Sequence, residues 1–514
     1  MSPSSRRGRR SDPPVDDTPL DAPTIDVEAR TGFLLRHGRE FAGERSVPTG
    51  SAMVAALARL GVRSSNADVS HWEKGVTPAS ATVIEAYEQI TGAPPGLLRG
   101  IIDTLRRCYR GGRLPPRRVD RRRLDLAEVT ARCEVVLRGS PRGIDWLHFA
   151  DLLNEERVVL PAFLVDEPTT RLVSEMSRSV AAAYLTRYEA LASILDSPYG
   201  ARAQTFVQDA VLDERTQVLL DPICVLAETP VPDRIGWLAE LLADPRPKVV
   251  LGAAYALDVA CETGRLPEQT LDTVAARVLD AYLAAAEDRT RDALVAVIRS
   301  LPAARTTQLL DRLDQRAREQ LRAVEAPVDT DHRAALCTVA ARAQRRVVEA
   351  IGADREQPML TRLLYEALFE PRPTRRFHAV SVLQAVPYVR QVVEVVTRLA
   401  HAARDDEVRR AAVRAVLNLG HLRSPDTVLR LVRSDDEQMR RAGLVASAHC
   451  QLPLDRELLA PLIAADGPLR STATYAAGMT GHPLVAELAA DPAADPAVRT
   501  AAQWWRRAGT AVLD

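Results

Sequence analysis

The residues with the clearest chemical potential lie in one short stretch, Asp68-Val69-Ser70-His71-Trp72-Glu73-Lys74-Gly75. Ser64 or Ser65 can cap a short helix that runs through Lys74, and Gly75 permits the positive φ that ends it. Val69 and Trp72, three apart, share a face and would anchor that helix to a core. Asn66, Ala67, Ser70, His71 and Lys74 are then left for the solvent or for a ligand. Short polar side chains on a helix locked at a fixed angle to the preceding one are what hydrogen bonding to base edges in a DNA major groove requires. The pattern predicts a helix-turn-helix within residues 31–110.

Arrangements that would carry a reaction are absent from the sequence. There is no HExxH zinc pair, no GxSxG elbow, no Gly-rich phosphate loop and no Cys/His metal cluster. The six cysteines, at 108, 133, 224, 261, 337 and 450, form no CxxC pair and are expected as free thiols. His148 and His378 lie among apolar residues, where a histidine satisfied within the core is the expectation. No catalytic residue, cofactor or metal is expected.

The elements that must position the short stretch read as helices throughout. A first helix over 31–41 carries Phe33, Leu34 and Leu35; a loop with Pro48 follows; Ser51 opens a second helix over 52–60, with Met53, Leu57 and Leu60 on one face. After the short helix, Pro78 and Ser80 open a helix over 81–91 with Val83, Ile84, Tyr87 and Ile90 inward, and a Gly/Pro turn leads to a last helix over 97–109. From residue 125 onward, helix follows helix with short loops. Val408-Arg409-Arg410-Ala411 returns as Met439-Arg440-Arg441-Ala442, Leu469-Arg470-Ser471-Thr472 and Val498-Arg499-Thr500-Ala501, about every 30 residues. An aspartate precedes each copy: Asp406, Asp436, Asp466 and Asp495. An acid at a helix start caps free amides, the alanines admit close neighbours, and such units bury their apolar faces only by stacking. Weaker copies begin near Asp244 and Pro371. Trp504 and Trp505 suit a terminal cap over the last apolar face.

Val69-Ser70-His71-Trp72-Glu73-Lys74-Gly75, then Pro78, then Val83-Ile84-Glu85-Ala86-Tyr87 and Thr91-Gly92, resembles the XRE (Cro/phage-repressor type) helix-turn-helix family, which commonly shows Val-Ser-x-Trp-Glu-x-Gly. The resemblance covers about 31–105. It implies that Asn66, Ala67 and His71 face base edges and that Ser65 and Lys74 contact phosphates, with Ser70 on the same side. Asn66 would pair with adenine and His71 with guanine, while Glu73 ties the helix to its scaffold. Pro48 and Thr49 stand where the family often has a phosphate-clamping Gln, and the segment 42–50 is longer than usual. The later repeats resemble HEAT repeats of the short form, best over 404–508. The expected fold is all-α: a small helix-turn-helix domain followed by an α-solenoid of HEAT-like repeats.

Lys+Arg and Asp+Glu both number 68, so charge must be read locally. Aromatics are only 4% of the chain, as in helices packed on small side chains. The division expected is a disordered tail over 1–28, the DNA-binding domain over 29–110, an Arg/Pro/Gly-rich linker over 111–124 and the solenoid over 125–514. The tail holds a basic cluster, Arg6-Arg7-Gly8-Arg9-Arg10, before an acidic stretch. Between Arg99 and Arg123 ten arginines face only Asp103 and Asp120, which suits either a solvated linker or phosphate contacts. No apolar run reaches membrane-spanning length. These features predict a sequence-specific transcriptional regulator in the cytoplasm, associated with the nucleoid. Its partners would be double-stranded DNA, a second copy of the chain as a homodimer, and a protein or peptide on the solenoid. The alternatives are a protein-interaction scaffold and, more remotely, a DNA-repair glycosylase, suggested by Trp504 and Trp505 beside Arg506 and Arg507.

Overall fold

Polar caps and short loops divide the first hundred residues into five helices: α1 (Val27–Phe41), α2 (Gly50–Arg59), α3 (Asn66–Glu73), α4 (Ala81–Thr91) and α5 (Leu97–Tyr109). The computed structural model describes residues 12–109, 126–155, 158–325, 330–353, 357–420 and 425–514. The spans 81–91 and 97–109 agree with the apolar periodicity. α1 starts four residues before the expected 31, because Asp26 accepts a hydrogen bond from Ala29 N. α2 starts at Gly50, because Thr49 rather than Ser51 is its cap and accepts from Ala52 N.

One buried carboxylate fixes α3 against its neighbours. Glu73 accepts from Arg39 of α1 through Nε at 2.6 Å and Nη2 at 2.7 Å, and from the Tyr87 hydroxyl of α4 at 3.1 Å. A bidentate charge-assisted pair of this kind sets orientation as well as distance. The end of α3 lies on the backbone of α1. Gly75 has φ +73°, and a Cβ there would stand 2.6 Å from Ala29 N; a Cβ on Gly32 would stand 2.8 Å from Glu73 O.

Beyond residue 125 the described residues are helical repeats in which alternate helices stack. Asp406–Leu419 packs on Glu437–His449, which packs on Arg470–Met479, which packs on Pro496–Ala508. The fold is an all-α solenoid of HEAT-like helical repeats. Asp436 and Asp495 cap their helices as expected. In the first copy Asp405 takes that role instead of Asp406, and in the third Leu469 is the capping position, leaving Asp466 paired with Arg470. Trp505 is buried on Tyr475, with Trp504 edge-on to it at 4.8 Å. The chain then runs on to the start of the array, where Val512 N donates to Arg178 O and Asp514 pairs with Arg187 at 2.8 Å.

The boundary between module and array differs from expectation. α5 is buried along almost its whole length and packs on the helix Ala181–Leu195. Its arginines are neutralised inside the protein. Arg99 meets Glu85, Asp103 and Asp151; Arg106 meets Glu28; Arg107 meets Glu189 at 2.6 Å and also Glu228. These three are therefore neither solvated nor open to phosphates, the two alternatives expected for the basic segment. The remainder of that segment, with the 111–124 linker, lies outside the described residues, as does the Arg6–Arg10 cluster.

Residues 12–26 also depart from the expected tail. They form no helix and turn at Leu20–Asp21, and Asp16 is buried between Arg30 of α1 at 2.7 Å and Arg362 at 3.5 Å. Arg30 reaches onward to Glu366 at 2.7 Å. Burial would raise the Glu366 carboxyl, but Arg30 and Arg375 outweigh it and hold the group down to about 2; burial is likewise outweighed by Arg107 and Arg265 at Glu228, also about 2.

Two outcomes follow. Gly75→Ala adds a left-handed alanine and a backbone clash, so a destabilisation of about 2–5 kcal/mol is expected, read as a lower denaturation midpoint at unchanged slope. Glu366→Gln leaves buried guanidinium charge underpaired and should lower stability by about 3–5 kcal/mol. Because the folded pKa values of Glu366 and Glu228 lie below the unfolded 4.5, their stabilisation is complete above that pH. It is lost as pH falls toward 2, and a circular-dichroism titration should show the loss in that window.

Candidate nucleic-acid interface

The exposed side of α3 is built by what its other side must do. Val69 is buried, Trp72 is half-buried against the same core, and Glu73 is held as described. With those three turned inward, Asn66, Ala67, His71 and Lys74 are exposed and Ser70 is half-buried. Ala67, His71 and Lys74 follow one another at spacings of four and three, the period of a helix face. All six expected site residues thus belong to α3 or its two ends.

Ser65 is occupied by its own helix. Its Oγ accepts from Asp68 N at 3.2 Å and donates to Asp68 Oδ2 at 2.8 Å, while Ser65 N donates to the same oxygen at 2.8 Å. This reciprocal cap satisfies free amides at the helix start. Hydrogen bonds from Ser65 hold the Asp68 carboxyl below its ordinary range. Asp68 therefore serves the cap, a role that Ser65 followed three residues later by an acid makes legible in sequence.

The start of α3 adjoins the start of α2. A Cβ on Gly50 would lie 3.6 Å from Asn66 Oδ1, so the free amides of α2 open beside the first residue of the exposed face. The sequence reading missed this side of the site because it placed the α2 cap at Ser51. Exposed Arg59 and Arg63 flank the connection between the two helices, and Val76, 66% exposed, follows α3 directly.

Three histidines elsewhere are engaged within the scaffold. His378 is buried and bonded to the Tyr109 hydroxyl at 3.0 Å, and burial pushes it down to about 4. His148 is half-buried rather than in the core, and bonds Glu85 at 3.2 Å. His37 is enclosed between Tyr388 at 2.5 Å and Gln357 at 3.1 Å, with burial pushing it down to about 3. No group of three or more potential metal ligands occurs among the described residues. No helix of the described residues is long and apolar enough to cross a membrane. On the array, a groove between Asp406–Leu419 and Glu437–His449 is lined by Asp406, Arg409, Arg410, Asp436, Glu437 and Met439, charges of both signs around an apolar floor.

No protein-family model matches this chain, and no curated protein matches it. Solved structures with some likeness include one on tubulin recruitment and assembly by microtubule polymerases with tumor overexpressed gene (TOG) domain arrays. It is 10% identical, over 73% of this chain and 99% of the other, at a TM-score of 0.25. An engineered protein is 15% identical over 74% and 98% of the two chains, at 0.23. A mutant of Kap121p is 12% identical over 94% of this chain and 53% of its own, at 0.27, so this chain spans about half of Kap121p. Likeness at these scores carries no statement about partners, and the repeat architecture rests on the chain's own helices.

Proposed function

We propose that this protein is a sequence-specific DNA-binding transcriptional regulator. The observation that carries the reading is the face of α3, where Val69 and Trp72 are turned to the core and Asn66, Ala67, His71 and Lys74 are left outward beside the start of α2. Asn66 and His71 are the base readers: an amide pairs bidentately with adenine, and an imidazole N–H donates to guanine N7 or O6. Lys74 and the free amides of α2 take phosphates, which supply sequence-independent affinity and fix the register. Ala67 keeps the helix close to the groove floor, and Ser70 lies at the edge of the face. Ser65 contributes through the cap and through its backbone.

One such module spans few base pairs, so a selective operator calls for two, in a homodimer. The array then has a geometric duty. Because α1 and α5 are tied to it by buried ion pairs, the array sets where each module points and hence the spacing of half-sites. A protein-interaction scaffold is the second reading, favoured by the charged groove between Asp406–Leu419 and Glu437–His449. The two readings are compatible in one molecule. The glycosylase alternative loses its motive, since Trp505 is buried in the terminal cap.

Titration of genomic fragments at two salt concentrations tests the proposal. The chain should bind a subset of fragments selectively, and Asn66→Ala with His71→Ala should cost about 1–3 kcal/mol per lost base contact, flattening selectivity. Lys74→Ala should weaken all fragments alike and reduce the salt slope by about 1. Selective binding that survives the double substitution would falsify the assignment of α3 as the reading helix.

A further inference from the structure

Residues 16–22 cross the helices Pro358–Phe369 and Pro373–Gln384, turning at Leu20 and Asp21 where Ala22 N donates to Pro19 O at 3.1 Å, and three arginines hold their main chain. Arg362 donates to Asp16 O at 2.7 Å and to Thr18 O. Arg372 donates to Leu20 O at 2.9 Å and to Ala22 O at 2.7 Å, and Arg375 donates to Ala22 O at 2.7 Å. Arg372 also reaches Asp21 O at 3.4 Å, so the carbonyls of 16, 18, 20, 21 and 22 all face the array. One side chain is read in depth. Asp16 is 3% exposed, accepts from Arg30 Nε at 2.8 Å, and is braced by the Thr18 hydroxyl at 2.6 Å, which itself accepts from Arg362 at 2.9 Å.

A row of guanidiniums that grips main-chain carbonyls reads the course of the backbone and is indifferent to most side chains. Selectivity is confined to the buried carboxylate, whose burial is tolerated only beside Arg30 and Arg362. The four prolines of 12–24 restrict the chain before binding and lower its ordering cost. These are the properties of a peptide-binding surface that happens to be filled from within the chain.

We propose that the Arg362–Arg372–Arg375 face is a docking groove for proline-rich peptides that carry an aspartate in the place of Asp16 and turn where Leu20 and Asp21 do. Residues 16–22 are its intramolecular occupant, which a partner's peptide of this chemistry displaces. Displacement removes Asp16 from Arg30 of α1 and sets the peptide's aspartate in its place. The groove stands apart from the DNA reading, since its test reads peptide binding and not DNA.

A tethered segment presents itself at an effective concentration of about millimolar, so a free copy of the arm should compete with it only near that concentration. A fluorescein-labelled peptide of residues 12–24 is titrated onto the full chain and onto the full chain carrying Asp16→Ala, with anisotropy as readout. Binding about tenfold tighter or more to the substituted chain is expected. The gain should vanish when the peptide itself carries the same alanine, or when the chain also carries Arg372→Gln. Equally weak binding to both chains overturns the proposal. Independently of how the Asp16→Ala chain folds, a spin label on Val15→Cys, a position 40% exposed, reports the arm in an otherwise unaltered chain. Its mobile spectral component should grow as unlabelled peptide reaches a few millimolar, about the effective concentration of the tether. An unchanged spectrum at that concentration overturns the proposal as well.

Discussion

A guanidinium leaves water at tolerable cost only beside a carboxylate, and much of this architecture answers to that requirement. Arg30, Arg99, Arg107 and Arg187 are among the largest fully buried side chains. Each finds its acid in a distant part of the chain: Glu366, Asp151, Glu189 with Glu228, and Asp514. Desolvating each ion costs several kcal/mol, so such pairs add little net stability over an apolar core of the same shape. Breaking one is costly, however, and that asymmetry makes the docked arrangement discriminating. The module, the arm and both ends of the array satisfy one another's charges or are left with an unpaired one.

Within the module the same logic operates over short distances. Glu73 is the shared acceptor of α1 and α4, and α1 approaches the end of α3 so closely that hydrogen atoms are required at Gly32 and Gly75. The outer face of α3 then needs no further support. Its residues are exposed because their neighbours are committed inward, and the outward face is the residue of a packing problem solved on the other side.

Much of this was legible in the residues, and the rest was hidden for identifiable reasons. Helices α4 and α5 announce themselves by apolar spacing, and Ser65 with Asp68 announces a cap. The repeated Arg-Arg-Ala units mark stacked helices. What local pattern cannot convey is partnership across sequence: nothing around Arg107 points to Glu228, 121 residues away. The arm misleads for another reason. Composition judges a segment by its side chains, and residues 16–22 are held mainly by their carbonyls, which every sequence possesses. Asp16 looked like a solvated acid because the arginine that buries it belongs to a helix with its own amphipathic explanation.

The pairing of Arg30 with Glu366 spans 336 residues, and that separation has a consequence for synthesis. At about 5–20 residues per second, roughly 15–70 s pass between the emergence of the two partners from a ribosome. Throughout that interval Arg30 has Asp16 for a partner but not Glu366, and His37 lacks both Gln357 and Tyr388. The nascent module must therefore keep this flank wet, and its final docking waits on the translation of the helices that carry those partners. A product truncated before them would present α3 on an unfinished base.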